Sequence, residues 1–399
     1  MSNYVPFITS SKTLRLVKSI YHDADTARLS IDVAERLTLP DSLKLWIDPG
    51  VDGLDDLERR RPRPDSKDTD KEKTSAWYEF MKSIPGFESI GDPSFWLKPD
   101  KGETKRFVTK VLDRCAKHQP TWITVPQLPI VEGSSRNRIN RVLAKETGNW
   151  KRSRSFSGRF ILPLIFTNQN QINGKTQRNP KVEQAERCYH ESQAEGLWVV
   201  DASLTDDSGS RTLRNTRFPG IIALHQELNN KIPSKIRIAG PYWGLNLVLW
   251  ARGLVDHPLI GIGGNYQYHL AGGPSRKSNT RVAISSLRRR VGIAQLDSWL
   301  VGALKVLGPA HPARGEFERV LKQFSLLSDE DNARQQVARF YKTWVDLIAT
   351  NPTLGRSMAL FQDLSTAYAL GKSLPDFAKT EETARKPESV AEPLMLNCL

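Results

Sequence analysis

Cysteine is scarce in this chain of 399 residues: Cys115, Cys188 and Cys398 stand far apart and form no CxxC pair. That spacing excludes a disulfide framework and a cysteine-based zinc site. His190, His225, His257, His269 and His311 show neither HxH nor HExxH spacing, so no metal centre is expected. No run of about 18 apolar residues occurs, and the opening MSNYVPFITSSK lacks the apolar core of an export signal. A cytoplasmic protein that does not span a membrane is therefore expected. The easily read catalytic and nucleotide signatures are missing too: no G-x-S-x-G, no Walker lysine behind a glycine run, no G-x-G-x-x-G. No cofactor is expected.

What the chain has is positive charge. Lys and Arg number 58 against 44 Asp and Glu, a net charge of +14 with a sequence pI near 9.6. That balance favours a polyanionic partner, nucleic acid before an acidic protein. The densest basic segment holds Arg136, Arg138, Arg141, Lys145, Lys151, Arg152, Arg154 and Arg159. If 134–146 is helical, Arg138 and Arg141 share a face while Ile139 and Val142 or Leu143 turn inward, a surface suited to tracking phosphates. A second basic run, Arg288-Arg289-Arg290, reads equally as a contact surface or a solvated helix start. Residues 55–73 are densely charged and aperiodic, as in a solvated loop.

Apolar runs of strand length stand at 4–9, 43–48, 121–125, 160–166, 196–200, 236–239 and 259–262, with a further candidate at 281–284. Helical patterns separate most of them, among them 23–36, 103–117, 180–195, 213–231 and 245–254. Such alternation predicts an α/β fold, a (β/α)8 TIM-type barrel over 1–275, in preference to a doubly wound sheet. From 276 to 372 the pattern is helical. There Asp329 opens a helix whose Val337, Phe340, Tyr341 and Trp344 form one apolar face, for the core or for a partner protein. Residues 373–399 show no pattern and read as a disordered tail.

Barrels do their chemistry beyond the C-terminal ends of their strands. Asp48 and Asp201 both end apolar strands, and read either as catalytic carboxylates or as caps for the turns that follow. Gln127, Asn168 and Gln169, at two further strand ends, have amides suited to the polar edge of a base. Gly240 and Tyr242 follow one late strand, and Gly263, Gly264 and Tyr266 follow the next. They offer bare backbone for phosphate and, with Trp243 and Tyr268, rings for stacking; the plain alternatives are tight turns and packing.

Taken in order, IDPGVDG, PLIFTNQ, GLWVVDASL, KIRIAGPYWGLNL and GLVDHPLIGIGGNY resemble the tRNA-guanine transglycosylase superfamily over 43–273. The likeness is greatest to its divergent members that place a 7-deazaguanine in DNA. The resemblance implies a barrel that exchanges or recognises a base in nucleic acid, DNA before RNA. It also implies a DNA-modification or phage-defence setting and protein partners from the same operon. It puts Asp48 at the family's first aspartate and Gln169 at its glutamine position. Pro49 replaces the family's serine, and no aspartate stands on 259–262, where the family's nucleophile belongs; Asp256 falls before it. Three expectations follow: a base-exchange or glycosylase enzyme, a catalytically silent nucleic-acid-binding subunit of a defence complex, or a protein-assembly module without direct nucleic-acid contact.

Overall fold

The computed structural model describes residues 4–57, 76–130, 134–168, 171–204, 211–262, 266–271, 280–294, 296–377 and 386–399. Eight parallel strands close into a barrel: β1 Val5–Ile8, β2 Thr26–Ser30, β3 Lys44–Asp48, β4 Trp122–Thr124, β5 Arg159–Phe166, β6 Gly196–Asp201, β7 Ile236–Ala239 and β8 His257–Ile260. Closure is made where Val5 of β1 pairs with Leu259 of β8. Helices such as Lys101–Ala116, Ser134–Arg154, Lys175–Ser192 and Arg211–Lys231 surround the strands. The chain is a (β/α)8 barrel with added C-terminal helices. Among the described residues no helix is long and apolar enough to cross a membrane, and the three cysteines are free and buried.

The second strand departs from the helix expected over 23–36. Thr26-Ala27-Arg28-Leu29-Ser30 pairs with both β1 and β3, and Ala27 and Leu29 are fully buried. Five residues are too few for period alone to separate strand from helix; pairing on two sides decides. The eighth expected strand, 281–284, lies outside the barrel, where Arg281–Ile284 (β9) forms an antiparallel hairpin with Arg289–Gly292 (β10). Neither reading of the run 288–290 holds, because it sits in that hairpin: Arg289 and Arg290 are buried, and Arg288 Nε donates to Asp363 at 2.7 Å.

Register decides which side chains fill the lumen. Phe7 lies opposite Arg28, Arg28 opposite Trp46, and Trp46 opposite Trp122. The Trp46 and Trp198 rings meet at 5.4 Å. Since successive strand residues face opposite sides, Val5, Thr26 and Lys44 belong to the layer below these rings, and Ser30, Asp48 and Val200 to the layer above. Asp201, one residue past Val200, turns outward.

The C-terminal helices are built onto the barrel. Helix Glu330–Ala349 begins at Asp329, whose side chain accepts the N–H groups of Asp331 and Asn332, as its sequence predicts. Its apolar face meets the segment after β7. Tyr341 donates to Asn246 Oδ1 at 2.8 Å, and Trp243 stacks against Phe340 with centroids 5.9 Å apart. Trp344 is 1% exposed, so this face is occupied by the chain's own barrel and is not open to a partner. Helix Leu245–Ala251 is buried on every residue, because it lies between the barrel and these helices.

Residues 386–399 also differ from the disordered tail expected at 373–399. They form a short turn, Pro387–Ser389, and a helix, Ala391–Met395, with Val390, Ala391, Leu394 and Cys398 in the core. The segment is too short to show a period, and close approach to glycines holds it. A Cβ on Gly244 would lie 2.5 Å from Leu394, and one on Gly371 2.6 Å from the Glu388 nitrogen. Trp344→Ala is expected to cost about 3–5 kcal/mol of stability. The barrel and the helices that share its core, Glu330–Ala349 and Ala391–Met395, should unfold together in denaturant followed by tryptophan fluorescence and circular dichroism; loss of those helices in an earlier transition would contradict the shared core.

Candidate active site at the barrel mouth

β3 ends on Asp48, and Pro49-Gly50 leads into a 3-10 turn, Val51–Asp56. Gly50 takes the left-handed conformation (φ 69°) that a side chain would resist. Its N–H donates to Asp48 Oδ1 at 2.9 Å, and the other Asp48 oxygen pairs with Arg28. Arg28 lies in the lumen between the faces of Phe7 and Trp198, 4.3 Å from each ring centre. Its Nε and Nη1 are buried without hydrogen-bond partners, so ring faces take the place of acceptors.

One turn on, Asp52 is buried as well. Its Oδ2 accepts from the Tyr268 hydroxyl at 2.9 Å and the Ala271 N–H at 3.1 Å. Burial, and then the neighbouring Asp48 carboxylate, push the Asp52 pKa up to about 6, against the hydrogen bonds and Arg28 that lower it. The segment 266–271 closes tightly here: a Cβ on Gly53 would lie 2.3 Å from the Ala271 oxygen. Beside these groups opens a cavity of about 420 Å³ whose walls include Arg28, Asp48, Trp77 and Tyr268. The mouth thus joins a carboxylate held by a guanidinium to a second carboxyl that takes up a proton near neutral pH. Such a pair is equipped for acid–base work.

The other expected site residues are not gathered there. Asp201 faces outward and is 1% exposed. It pairs with the fully buried Arg217, while its Oδ1 accepts the Ser203 N–H at 2.9 Å. It is a cap and an internal ion pair, separated from Asp48 by strand parity. Gln127 turns its amide inward, donating to Pro126 and Asn140 carbonyls at 2.8 and 2.9 Å. Asn168 is exposed, and its carbonyl accepts from Arg217 at 2.8 Å. The Gly240 carbonyl accepts from Trp198 Nε1 at 2.7 Å. Tyr242 is buried with its hydroxyl accepting the Asp201 N–H at 2.7 Å. Tyr266 is buried against Trp243 and Tyr341, each at 4.8 Å. Neither ring is free to stack on a base. Gln169, Gly263 and Gly264 lie outside the described residues.

The basic helix is interrupted by its own ion pairs. Arg136 pairs with Asp55, Arg138 donates to the Leu97 carbonyl at 2.9 Å, and Arg141 pairs with Glu191 at 2.7 Å. Lys151 pairs with Glu195 and Arg154 with Asp113, both at 3.0 Å, while Arg152 donates to Asn149 at 2.6 Å. Lys145 is exposed. Exposed pairs of this kind hold by about 0–1 kcal/mol, so those of Arg141 and Arg154, about half exposed, yield readily to a phosphate.

Sequence reading missed Arg28 and Asp52. The signal for Arg28 was its place between Thr26 and Ser30 in a strand misread as helix. Asp52 was visible as the second carboxylate of IDPGVDG. No family model matches the sequence, and no curated protein does. Among solved structures, the chain is similar to a probable tagatose 6-phosphate kinase from Sinorhizobium meliloti at 12% identity and a TM-score of 0.37, over 98% of this chain and 97% of that one.

Two outcomes follow from this geometry. Asp201→Ala leaves Arg217 buried without its counter-ion and should cost about 3–5 kcal/mol in denaturant unfolding. Asp52 has a folded pKa of about 6, above its ordinary value of 3.8, so it binds its proton more tightly folded than unfolded. Its contribution is fully present below about pH 4 and lost as pH rises through about 6, a fall of about 2–3 kcal/mol. Asp52→Asn, measured by unfolding across that range, should remove that slope.

Proposed function

We propose that the barrel mouth acts on the glycosidic bond of a nucleobase in nucleic acid. The observation that carries this reading is the Asp48 carboxylate in the wall of a 420 Å³ cavity, with Asp52 buried behind Tyr268 and Ala271 and pushed up to about 6. Asp52 in its protonated form supplies the departing base through the Tyr268 hydroxyl, which lies between it and the cavity: Tyr268 gives its proton to the base and takes the one Asp52 holds. Asp48 faces the positive charge that develops on the sugar, or attacks it; release and exchange of the base both begin with this cleavage. Trp77 and Tyr268 flank the base, and the exposed cations Arg138, Arg141 and Lys145, on the half of the helix nearer the mouth, take the phosphates first, with Arg152 and Arg154 further along the same helix. The net charge of +14 supports a polyanionic substrate, and the resemblance to transglycosylases favours DNA and a modification or defence setting.

One observation favours a second reading, a silent binding subunit. Both Asp48 oxygens are occupied, by Arg28 and Gly50, and Asp52 is covered by Tyr268 and Ala271. The test is binding of labelled double-stranded DNA, single-stranded DNA and tRNA at two salt concentrations, with free base measured in the same samples. Salt-sensitive binding with base release is expected. Asp52→Asn should slow release by about 10²-fold or more while binding persists, and the wild-type rate should fall as pH rises above about 6, where the acid is lost. Binding without release selects the silent subunit, and no binding to any of the three removes nucleic acid as the partner.

A further inference from the structure

The opposite end of the barrel is open. A cavity of about 600 Å³ enters at the N-terminal ends of the strands, and its lining includes the first residues of seven of them: Val5, Thr26, Lys44, Trp122, Arg159, Ile236 and His257. The remaining strand, β6, begins with Gly196, where a Cβ would lie 2.5 Å from Ile161. Register supports an inward ring here. Thr26 pairs with Lys44, Trp122 with Arg159 and Gly196 with Ile236, and each has the strand parity of the lumen-filling Arg28, Trp46, Trp122 and Trp198. The floor is aromatic, with Trp46 and Trp122 in edge contact at 5.9 Å, so this cavity is partitioned from the mouth where Arg28 and Asp48 lie.

Charge distinguishes it. Lys44, Arg159 and Lys235 line it from β3, β5 and the residue before β7, and among the described residues Asp25 is the carboxylate in its wall. Lys44 and Lys235 are exposed, and Arg159 is half exposed with Glu195 no nearer than 3.7 Å. His257 brings a half-buried imidazole, 5.9 Å from the Trp122 ring. Burial lowers its pKa, partly offset by Asp256 and Asp25, so the ring is a neutral hydrogen-bonding group at pH 7. Gln119, Thr121 and Ser157 add polar atoms to the wall.

We infer that this N-terminal cavity is a binding site for a small phosphate monoester. Lys44, Arg159 and Lys235 meet the phosphate, and the organic part lies against Trp122 and His257. Lys44 and Arg159 at the starts of β3 and β5, with Lys235 just before β7, provide the attraction, and the volume lies within the range of about 300–1,000 Å³ usual for small-ligand sites. The bland account is that long cations at an open strand end merely reach for water. The site is independent of the chemistry proposed at the mouth, so failure of either leaves the other standing.

Calorimetric titration of the full chain at low salt with AMP, ribose 5-phosphate and adenosine separates these accounts. The two phosphates should bind one per chain and adenosine should not. The double charge reversal K44E/K235E alters two exposed side chains and should weaken AMP binding by more than about tenfold with the melting temperature unchanged. If that variant melts early, the neutral K44Q/K235Q replaces it, with weakening again expected. A 5′-phosphorylated oligonucleotide that displaces AMP assigns the phosphate to a nucleic-acid end; one that does not leaves a free ester as the ligand. Absence of binding at millimolar AMP, adenosine binding as tightly as AMP, or undiminished binding in the folded variants would overturn the inference.

Discussion

The ion pair between Arg28 and Asp48 sets the character of this barrel. Both side chains are at most 5% exposed, and a charge in such a place is tolerated only with a partner or with polarisable groups around it. Asp48 provides the partner. Phe7 and Trp198 provide ring faces on either side of the guanidinium. The Asp48 charge in turn adds to burial in raising the neighbouring Asp52, so one arginine on β2 and one turn after β3 together define the electrostatics of the mouth. With an apolar side chain in place of Arg28, two carboxyls would share a dry site with no cation, and they would have to hold a proton between them.

The lumen behind that pair holds large rings among the branched aliphatic residues common in barrels. Trp46, Trp122 and Trp198 meet edge to face, and Trp46 Nε1 is satisfied by Thr124 at 2.9 Å. This layer separates two ends of different chemistry. One holds acid–base groups beside aromatic walls; the other holds cations around an open cavity. Neither end reaches the other through the axis, which is why the two proposals stand apart.

Helices Glu330–Ala349, Thr353–Ser373 and Ala391–Met395 complete the barrel as part of its core, while the β9–β10 hairpin and helices Leu296–Val306 and Arg314–Lys322 enclose a second apolar cluster. Trp243 sits at the junction: its ring contacts Tyr266, Phe340, Tyr341 and Trp344, and its Nε1 donates to the Arg288 carbonyl at 2.9 Å. Arg290 lies over Trp243 and Tyr266, 4.9 and 4.6 Å from their centres. Aromatic groups that look available for stacking when read one at a time are consumed by this junction. Function is therefore left to the part of the mouth around β1, β2 and β3, where Tyr268 remains beside the cavity.

The sequence by itself determined the barrel, because alternating apolar strands and helical segments leave few other ways to bury so many strands on both faces. It also determined Asp48 and its turn, since IDPGVDG carries its own geometry: an apolar strand, a proline that ends it and a glycine for the left-handed turn. Only the tertiary structure decided what depends on pairing across the barrel. Arg28 became a lumen residue because β2 is held from both sides, Asp201 turned away because parity places it outside, and the patternless chain end was ordered by glycines far off in sequence. The cations of helix Ser134–Arg154 were plain in the sequence, but their carboxylate partners come from other elements, such as Asp113 and Glu191. Local pattern reports which residue types a segment has; which of them remain free for a ligand is settled by contacts that close only when the chain folds.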